Sequence, residues 1–275
     1  MVVTRFAPSP TGHLHAGHAY SAWLNHSRAI ESGGRMLLRI DDLDPRRCTR
    51  EFEMAAVEDL RWLGVEWDGD PVRQSDRMQA YRDSIDALRD RGLLFASTRG
   101  STDVEEAVAA PHGPVFVSPS MAALEERNDP AAGSPAAWRL SVEVAAAQLG
   151  DGYESLSYVE ETADGLVSIP AEPWRFADVV IARSATASTY HLSCVLDDAA
   201  QGVTHVMRGD ELREAAGLHA LLARLLDLPP VVYRHHRMIT DQRGQRFSKR
   251  DNAHSLRAMR AAGLTPQALK KRLSG

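Results

Sequence analysis

Two short apolar runs, each released through a Pro- or Asp-rich turn into an amphipathic helical stripe, constrain this chain more than any other feature. Residues 2–7 read as a buried strand, Pro8-Ser-Pro-Thr-Gly12 breaks it, and residues 15–30 carry helical spacing that ends at Gly33-Gly34. Residues 36–40 form a second apolar strand running into Asp41-Asp42-Leu43-Asp44-Pro45, after which Phe52, Ala55, Ala56, Leu60 and Leu63 mark a helix stopped by Gly64. Sequential strands joined by helical crossovers make a parallel sheet covered by helices, so the expected fold class is α/β.

The pattern then weakens and returns. Ser75 is placed to N-cap a helix carrying Met78, Tyr81, Ile85 and Leu88 on one face, with Gly92 at its C-cap. Residues 98–165 are rich in Ala, Pro, Gly and Ser with little periodicity, which predicts an inserted, irregular α+β subdomain over 94–176. Residues 179–182 resume a strand, 189–200 a helix, 203–207 a strand, and 211–226 a helix halted by Pro229-Pro230. A strand-like 231–233, a polar loop at 241–250 and a basic helical segment complete the chain. The expected organisation is a parallel-sheet domain in two halves, 1–93 and 177–233, with 94–176 inserted and 234–275 forming a loop and basic helical tail.

Charge and cysteine content narrow the function classes. The net charge is −5, yet residues 234–275 hold eleven Lys or Arg against two Asp, which suits an RNA- or phosphate-facing end as well as a merely solvated helix face. Cys48 and Cys194 make neither a disulfide framework nor a multi-cysteine zinc site. No apolar run reaches the roughly 18 residues of a membrane span, and no basic-then-apolar leader opens the chain, so a cytoplasmic protein without membrane contact is expected.

His15-Ala-Gly-His18 opens the first predicted helix directly after a strand and a Pro/Gly turn. Such a helix end offers unpaired N–H groups and positive dipole density to phosphate, Gly17 permits close approach, and the two imidazoles share one face. Alone, two histidines on an exposed turn are more often solvated. A second feature, Ser248-Lys249 within Arg246-Phe-Ser-Lys-Arg250, sits in a Gly-containing loop where a lysine could close over a triphosphate. By itself that string is also an ordinary surface sequence.

Together, in this order, the pair resembles the HIGH and KMSKS motifs of class I aminoacyl-tRNA synthetases, whose catalytic domain is a Rossmann-like parallel sheet. Ser248 and Lys249 match best, Phe247 keeps only apolar character, and Arg246 and Arg250 replace the outer letters. Arg5-Phe-Ala-Pro-Ser-Pro-Thr-Gly12, Leu38-Arg-Ile-Asp-Asp-Leu-Asp44, Thr189-Tyr-His-Leu192, Val195-Leu-Asp-Asp198 and Gly202-Val-Thr-His-Val-Met-Arg-Gly209 are similar to the glutamyl-tRNA synthetase group. The chemistry suits glutamate: a guanidinium fork from Arg5 or Arg208 matches a side-chain carboxylate, and Asp41 matches an α-ammonium. The resemblance implies glutamate binding by Arg5, Phe6, Ala7, Pro8, Ser9, Asp41, Tyr190 and Arg208. It implies ATP binding by Pro10, Thr11, Gly12, His15, Gly17, His18, Ser248 and Lys249, with Mg²⁺, and catalysis by His15, His18 and Lys249. Asp41 departs from the Glu usual in the group.

Each residue also has a structural reading. Arg5 could pair with an acid in the sheet, Tyr190 could be core, Arg208 could pair with Asp210 or Glu211, and Asp42 and Asp44 read as turn caps, not metal ligands. Zinc held by cysteines after the helix ending near Gly92 occurs in the group; Phe95-Ala-Ser-Thr-Arg99 carries none and His112 cannot replace them, so no structural zinc is expected.

Trp67-Asp-Gly-Asp70 and Gln74-Ser75, with only some 25 residues after Lys249 and no anticodon-binding region, resemble the branch of the group that places glutamate on the queuosine base of tRNA-Asp. The implied partners are L-glutamate, ATP and the tRNA-Asp anticodon stem-loop, met by a monomeric chain. A truncated enzyme charging the 3′ end of tRNA-Glu and a non-catalytic RNA-binding paralogue are the alternatives.

Overall fold

The computed structural model describes residues 1–97, 137–176, 178–183, 188–239 and 255–274. In chain order these form β1 (Val3–Phe6), α1 (Ala16–Glu31), β2 (Arg35–Ile40), α2 (Arg50–Trp62), β3 (Val72–Arg73), α3 (Met78–Asp90) and β4 (Leu94–Ser97). There follow β5 (Ala137–Leu140), α4 (Val142–Leu149), α5 (Asp151–Glu154), β6 (Ser157–Thr162), β7 (Gly165–Pro170) and β8 (Val180–Arg183). The remainder comprises α6 (Tyr190–Ala200), β9 (His205–Gly209), α7 (Ala215–Leu225), β10 (Val232–His236), α8 (Leu256–Ala261) and α9 (Pro266–Ser274). Contacts divide the chain into two units, Met1–Asp76 with Val203–Asp210 and Arg234–Gly275, and Arg77–Gly202 with Glu211–Tyr233.

In the first unit β1 and β2 run parallel with Arg5 opposite Leu37, and β2 and β3 run parallel with Arg39 opposite Val72. This is the α/β arrangement the apolar alternation predicts. Residue 204, just before β9, is tied to β1: Thr204 N–H donates to the Val3 carbonyl at 2.9 Å, and Thr204 Oγ1 accepts from Val3 N–H at 2.8 Å. Helix α1 is stitched to the sheet through Asn25, whose Nδ2 donates to the Met207 carbonyl at 3.1 Å while its own carbonyl accepts from Thr4 Oγ1 at 2.9 Å. Its stripe buries Ala19, Ala22 and Trp23 against Leu38, Ile40 and Leu60, and the same core takes in Leu256, Leu269 and Leu273 from the C-terminal helices. Each such leucine contributes roughly 1.5–3 kcal/mol of burial, enough to fasten the basic tail to α1 and α2.

The second unit has its own core of Ile85, Leu88, Leu93, Leu140, Ile181, Leu192, Leu218 and Leu222. There β5 pairs antiparallel with β4 and β8, and β6 pairs antiparallel with β7 and parallel with Val232 and Tyr233 of β10.

Two local expectations are corrected. Ser75 does not cap α3: the chain forms a 3-10 turn at Gln74–Arg77, α3 starts at Met78, and Ser75 donates its N–H and Oγ–H to the Asp42 carboxylate at 2.8 and 2.7 Å. Asp42 thus caps a turn distant in sequence, whereas Asp44 caps its own, accepting from Arg46 N–H at 3.0 Å. The described part of the insertion, residues 137–176, is also regular where weak periodicity predicted irregularity; its strands are short, and β7 is exposed at nearly every position, so no alternation marks it.

Candidate active site

Helix α1 begins with a cap made by two histidines. His15 is the N-cap in extended conformation (φ −128°), and its Nδ1 accepts the Gly17 N–H at 3.2 Å. His18 Nδ1 reaches back to accept the His15 N–H at 3.1 Å, and the two rings lie 3.8 Å apart between centroids, tilted by 38°. A neutral imidazole that accepts at Nδ1 carries its proton on Nε2. The first turn contains no acidic residue, which leaves the positive end of the helix dipole uncompensated by the helix itself. Gly17 acquires a second reason to be glycine: a Cβ there would lie 3.1 and 3.2 Å from His15 Cε1 and Nδ1.

The Pro-rich turn preceding this helix is pinned by backbone bonds. Pro8 O accepts from Asp41 N–H and Pro10 O from Thr49 N–H, each at 3.1 Å, while Thr11 N–H donates to Ser9 O at 2.9 Å. The end of β1 and the end of β2 are therefore held together, bringing the Arg5-to-Gly12 stretch beside Asp41. Arg5 is buried on β1 with Phe6, and Asp41 is buried at the end of β2, where Arg39 Nε donates to its Oδ1 at 2.8 Å. Arg39 is fully buried, so the pair satisfies two charges that neither residue could carry alone. On β9, buried Arg208 donates its Nε–H to His235 Nε2 at 3.2 Å.

Of the residues predicted for the site, Arg5, Phe6, Ala7, Pro8, Ser9, Pro10, Thr11, Gly12, His15, Gly17, His18, Asp41 and Arg208 lie in the first unit. Tyr190, the first residue of α6, lies in the second, its ring 5.4 Å from that of His191 and 5.8 Å from that of His219, two imidazoles whose Nδ1 and Nε2 are 3.0 Å apart. Ser248 and Lys249 fall outside the described residues. Among the described residues no group of three His, Cys, Asp or Glu side chains is arranged to hold a metal ion.

Four residues were not singled out from sequence. Arg39 and His235 escaped notice because their roles depend on sheet neighbours. Ser255 and Leu256 escaped because nothing local marks them: Ser255 forms an isolated antiparallel bridge with His15, and Leu256 N–H donates to the Leu14 carbonyl at 2.7 Å. Ile239, on the other side of residues 240–254, has its Cβ 4.0 Å from where a Gly17 Cβ would stand. Residues 239 and 255 thus both lie against the start of α1.

A family model described as tRNA synthetases class I (E and Q), catalytic domain, matches residues 1–274. Among curated proteins, the chain is 45% identical over 282 residues to the glutamyl-Q tRNA(Asp) synthetase of Rhodobacter capsulatus, covering 98% of this chain and 99% of that protein. It is 36% identical to the glutamyl-Q tRNA(Asp) synthetase of Nocardia farcinica, over 96% of this chain and 80% of that one. A glutamate–tRNA ligase of Synechococcus is 34% identical over 98% of this chain but 57% of its own length. Among solved structures, a glutamate tRNA ligase from Elizabethkingia meningosepticum, in complex with its amino acid, matches with a TM-score of 0.70 at 24% identity, over 91% of this chain and 52% of that one. At that identity the likeness is one of fold.

Proposed function

This chain belongs to the class I tRNA synthetase (E and Q) catalytic-domain family, and we propose that it is a ligase that activates L-glutamate with ATP and transfers the glutamyl group to the queuosine base in the anticodon loop of tRNA-Asp. The Rhodobacter and Nocardia relatives, named for that activity and matched over most of their length, support this acceptor over the 3′ end of tRNA-Glu.

In the proposed mechanism the glutamate α-carboxylate attacks the α-phosphorus of ATP and pyrophosphate leaves, so no protein nucleophile is needed. Arg5 and Arg208 hold the side-chain carboxylate with Ser9, and Asp41 receives the α-ammonium; Tyr190 is given a glutamate-binding role by the family resemblance alone. Phe6, Ala7 and Pro8 line the glutamate side of the turn; Pro10, Thr11, Gly12 and Gly17 bring its backbone up to the nucleotide. The Nε2–H groups of His15 and His18 meet negative charge as it moves toward the departing phosphates, joined by Ser248 and Lys249. The RNA hydroxyl then attacks the mixed anhydride and releases AMP. Mg²⁺ would accompany the ATP phosphates and neutralise part of their charge; the first turn of α1 carries no acidic residue that would ligate it there.

The observation carrying this reading is the His15–Ser255 bridge. Only residues 250–254 separate Lys249 from Ser255, so the chain keeps its Cα within about 20 Å of a residue anchored at the phosphate-facing helix end. A monomer in the cytoplasm is the form expected to act. Glutamate-dependent exchange of pyrophosphate into ATP tests the reading. Wild-type protein should catalyse it and Lys249→Ala should lower it by about two or more orders of magnitude; near-normal exchange in the variant removes Lys249 from the mechanism, and no exchange in the wild type removes the mechanism.

A further inference from the structure

Arg208 is 4% exposed, and its Nε–H donates to His235 Nε2 at 3.2 Å. An imidazole nitrogen accepts only while it carries no proton, so this bond requires His235 Nε2 to be unprotonated. A guanidinium can grip a carboxylate through its Nε/Nη edge or through its Nη1/Nη2 edge, and the two edges face different directions. With Nε engaged by His235, the first edge is committed to the protein, and a bidentate grip on a substrate runs through the second.

The geometry points to His235 as the positioning residue that sets which edge Arg208 presents, and through it the preference for glutamate over glutamine. This rests on the reading of Arg208 as a glutamate-binding residue. Two parallel N–H donors match both oxygens of a carboxylate, whereas an amide puts its own NH₂ against one of them and leaves two donors opposed. The mismatch is enforced only while the fork stays aligned; a guanidinium able to turn can meet the amide oxygen with one N–H and give the rest to water. His235 acts without touching the substrate. It lies in the Arg234-His-His-Arg237 run, where the sequence shows only basic character.

The test uses the full chain in amino-acid-dependent pyrophosphate exchange with glutamate and with glutamine. His235→Leu keeps bulk and removes the acceptor; the glutamate KM is expected to rise about ten-fold, the worth of one hydrogen bond to a charged group, with the glutamate preference falling by a similar factor. The ATP KM and kcat should stay within about two-fold, because the phosphate-facing residues are untouched. His235→Gln, whose Oε1 can accept the same N–H, should restore most of the loss. Unchanged glutamate KM and preference in His235→Leu overturns the assignment. So does a parallel loss in kcat and both KM values, or a Gln variant no better than Leu. Wild-type protein without glutamate-dependent exchange overturns the underlying reading of the site itself, a different result from failure of His235 alone.

Discussion

His15 and Ser255 face each other across an isolated antiparallel bridge, so the histidine that caps α1 is also the residue against which the chain settles as it leaves residues 240–254. The contact continues inward through Leu256, which is fully buried beside Leu14. Leu256 thereby fastens the start of the C-terminal helices to the residue just before the α1 cap.

Leu256→Ala should loosen that fastening. Removing a fully buried leucine side chain costs about 2–5 kcal/mol, to be read from urea unfolding. The glutamate-dependent exchange rate should fall with it at temperatures where the variant is still folded, because the anchor of the signature segment is weakened.

Gly17→Ala separates chemistry from stability. Alanine in the first turn of a helix is favoured over glycine by up to about 1 kcal/mol, yet its Cβ would crowd the His15 ring at 3.1–3.2 Å. Melting temperature should hold or rise slightly while kcat for exchange drops about ten-fold or more, since the Nε2–H of His15 is turned from the phosphates.

Asp41→Ala removes the carboxylate to which the fully buried Arg39 donates its Nε–H at 2.8 Å. Breaking a buried ion pair by removing one partner costs about 3–5 kcal/mol, measurable by denaturation. Replacing both, as Arg39→Met with Asp41→Ala, should recover much of that stability and none of the affinity for glutamate.

Asp59 on α2 predicts a pH effect. It is buried with no partner for Oδ2, and burial first, then the neighbouring Glu58, push its carboxyl from 3.8 to about 6, against the opposing pull of Arg260 and Arg257. The folded chain keeps a proton that the unfolded chain has released, so this contribution to stability is complete below about pH 4 and is lost as pH rises through about 6. Asp59→Asn, a neutral stand-in, should stabilise the protein by about 1–3 kcal/mol near pH 7.5 and by little near pH 4. Thermal melts across that range check the crossover.

Much of the first unit was legible in the sequence. Strand β1, helix α1 ending before Gly33, strand β2 and helix α2 follow from apolar runs and helical stripes because those patterns are local and each element buries one face. What could not be read arises between elements. Ser75 looks like a helix cap until the fold brings Asp42 to it; Arg39 and His235 gain meaning only when neighbouring residues and strands put Asp41 and Arg208 beside them. The pairing of His15 and His18 at the start of α1 is legible as two imidazoles on one helix face, but not that Nδ1 of each is spent on the backbone, which leaves Nε2 as the protonated nitrogen.

The central claim is that a helix end capped by two imidazoles activates glutamate for transfer to an anticodon-loop base. It is tested most directly by supplying radiolabelled glutamate and ATP to the wild-type protein with three RNAs: tRNA-Asp bearing queuosine, the same tRNA without it, and tRNA-Glu. Label should enter the queuosine-bearing tRNA-Asp alone; label in tRNA-Glu, or in tRNA-Asp regardless of queuosine, would contradict the account.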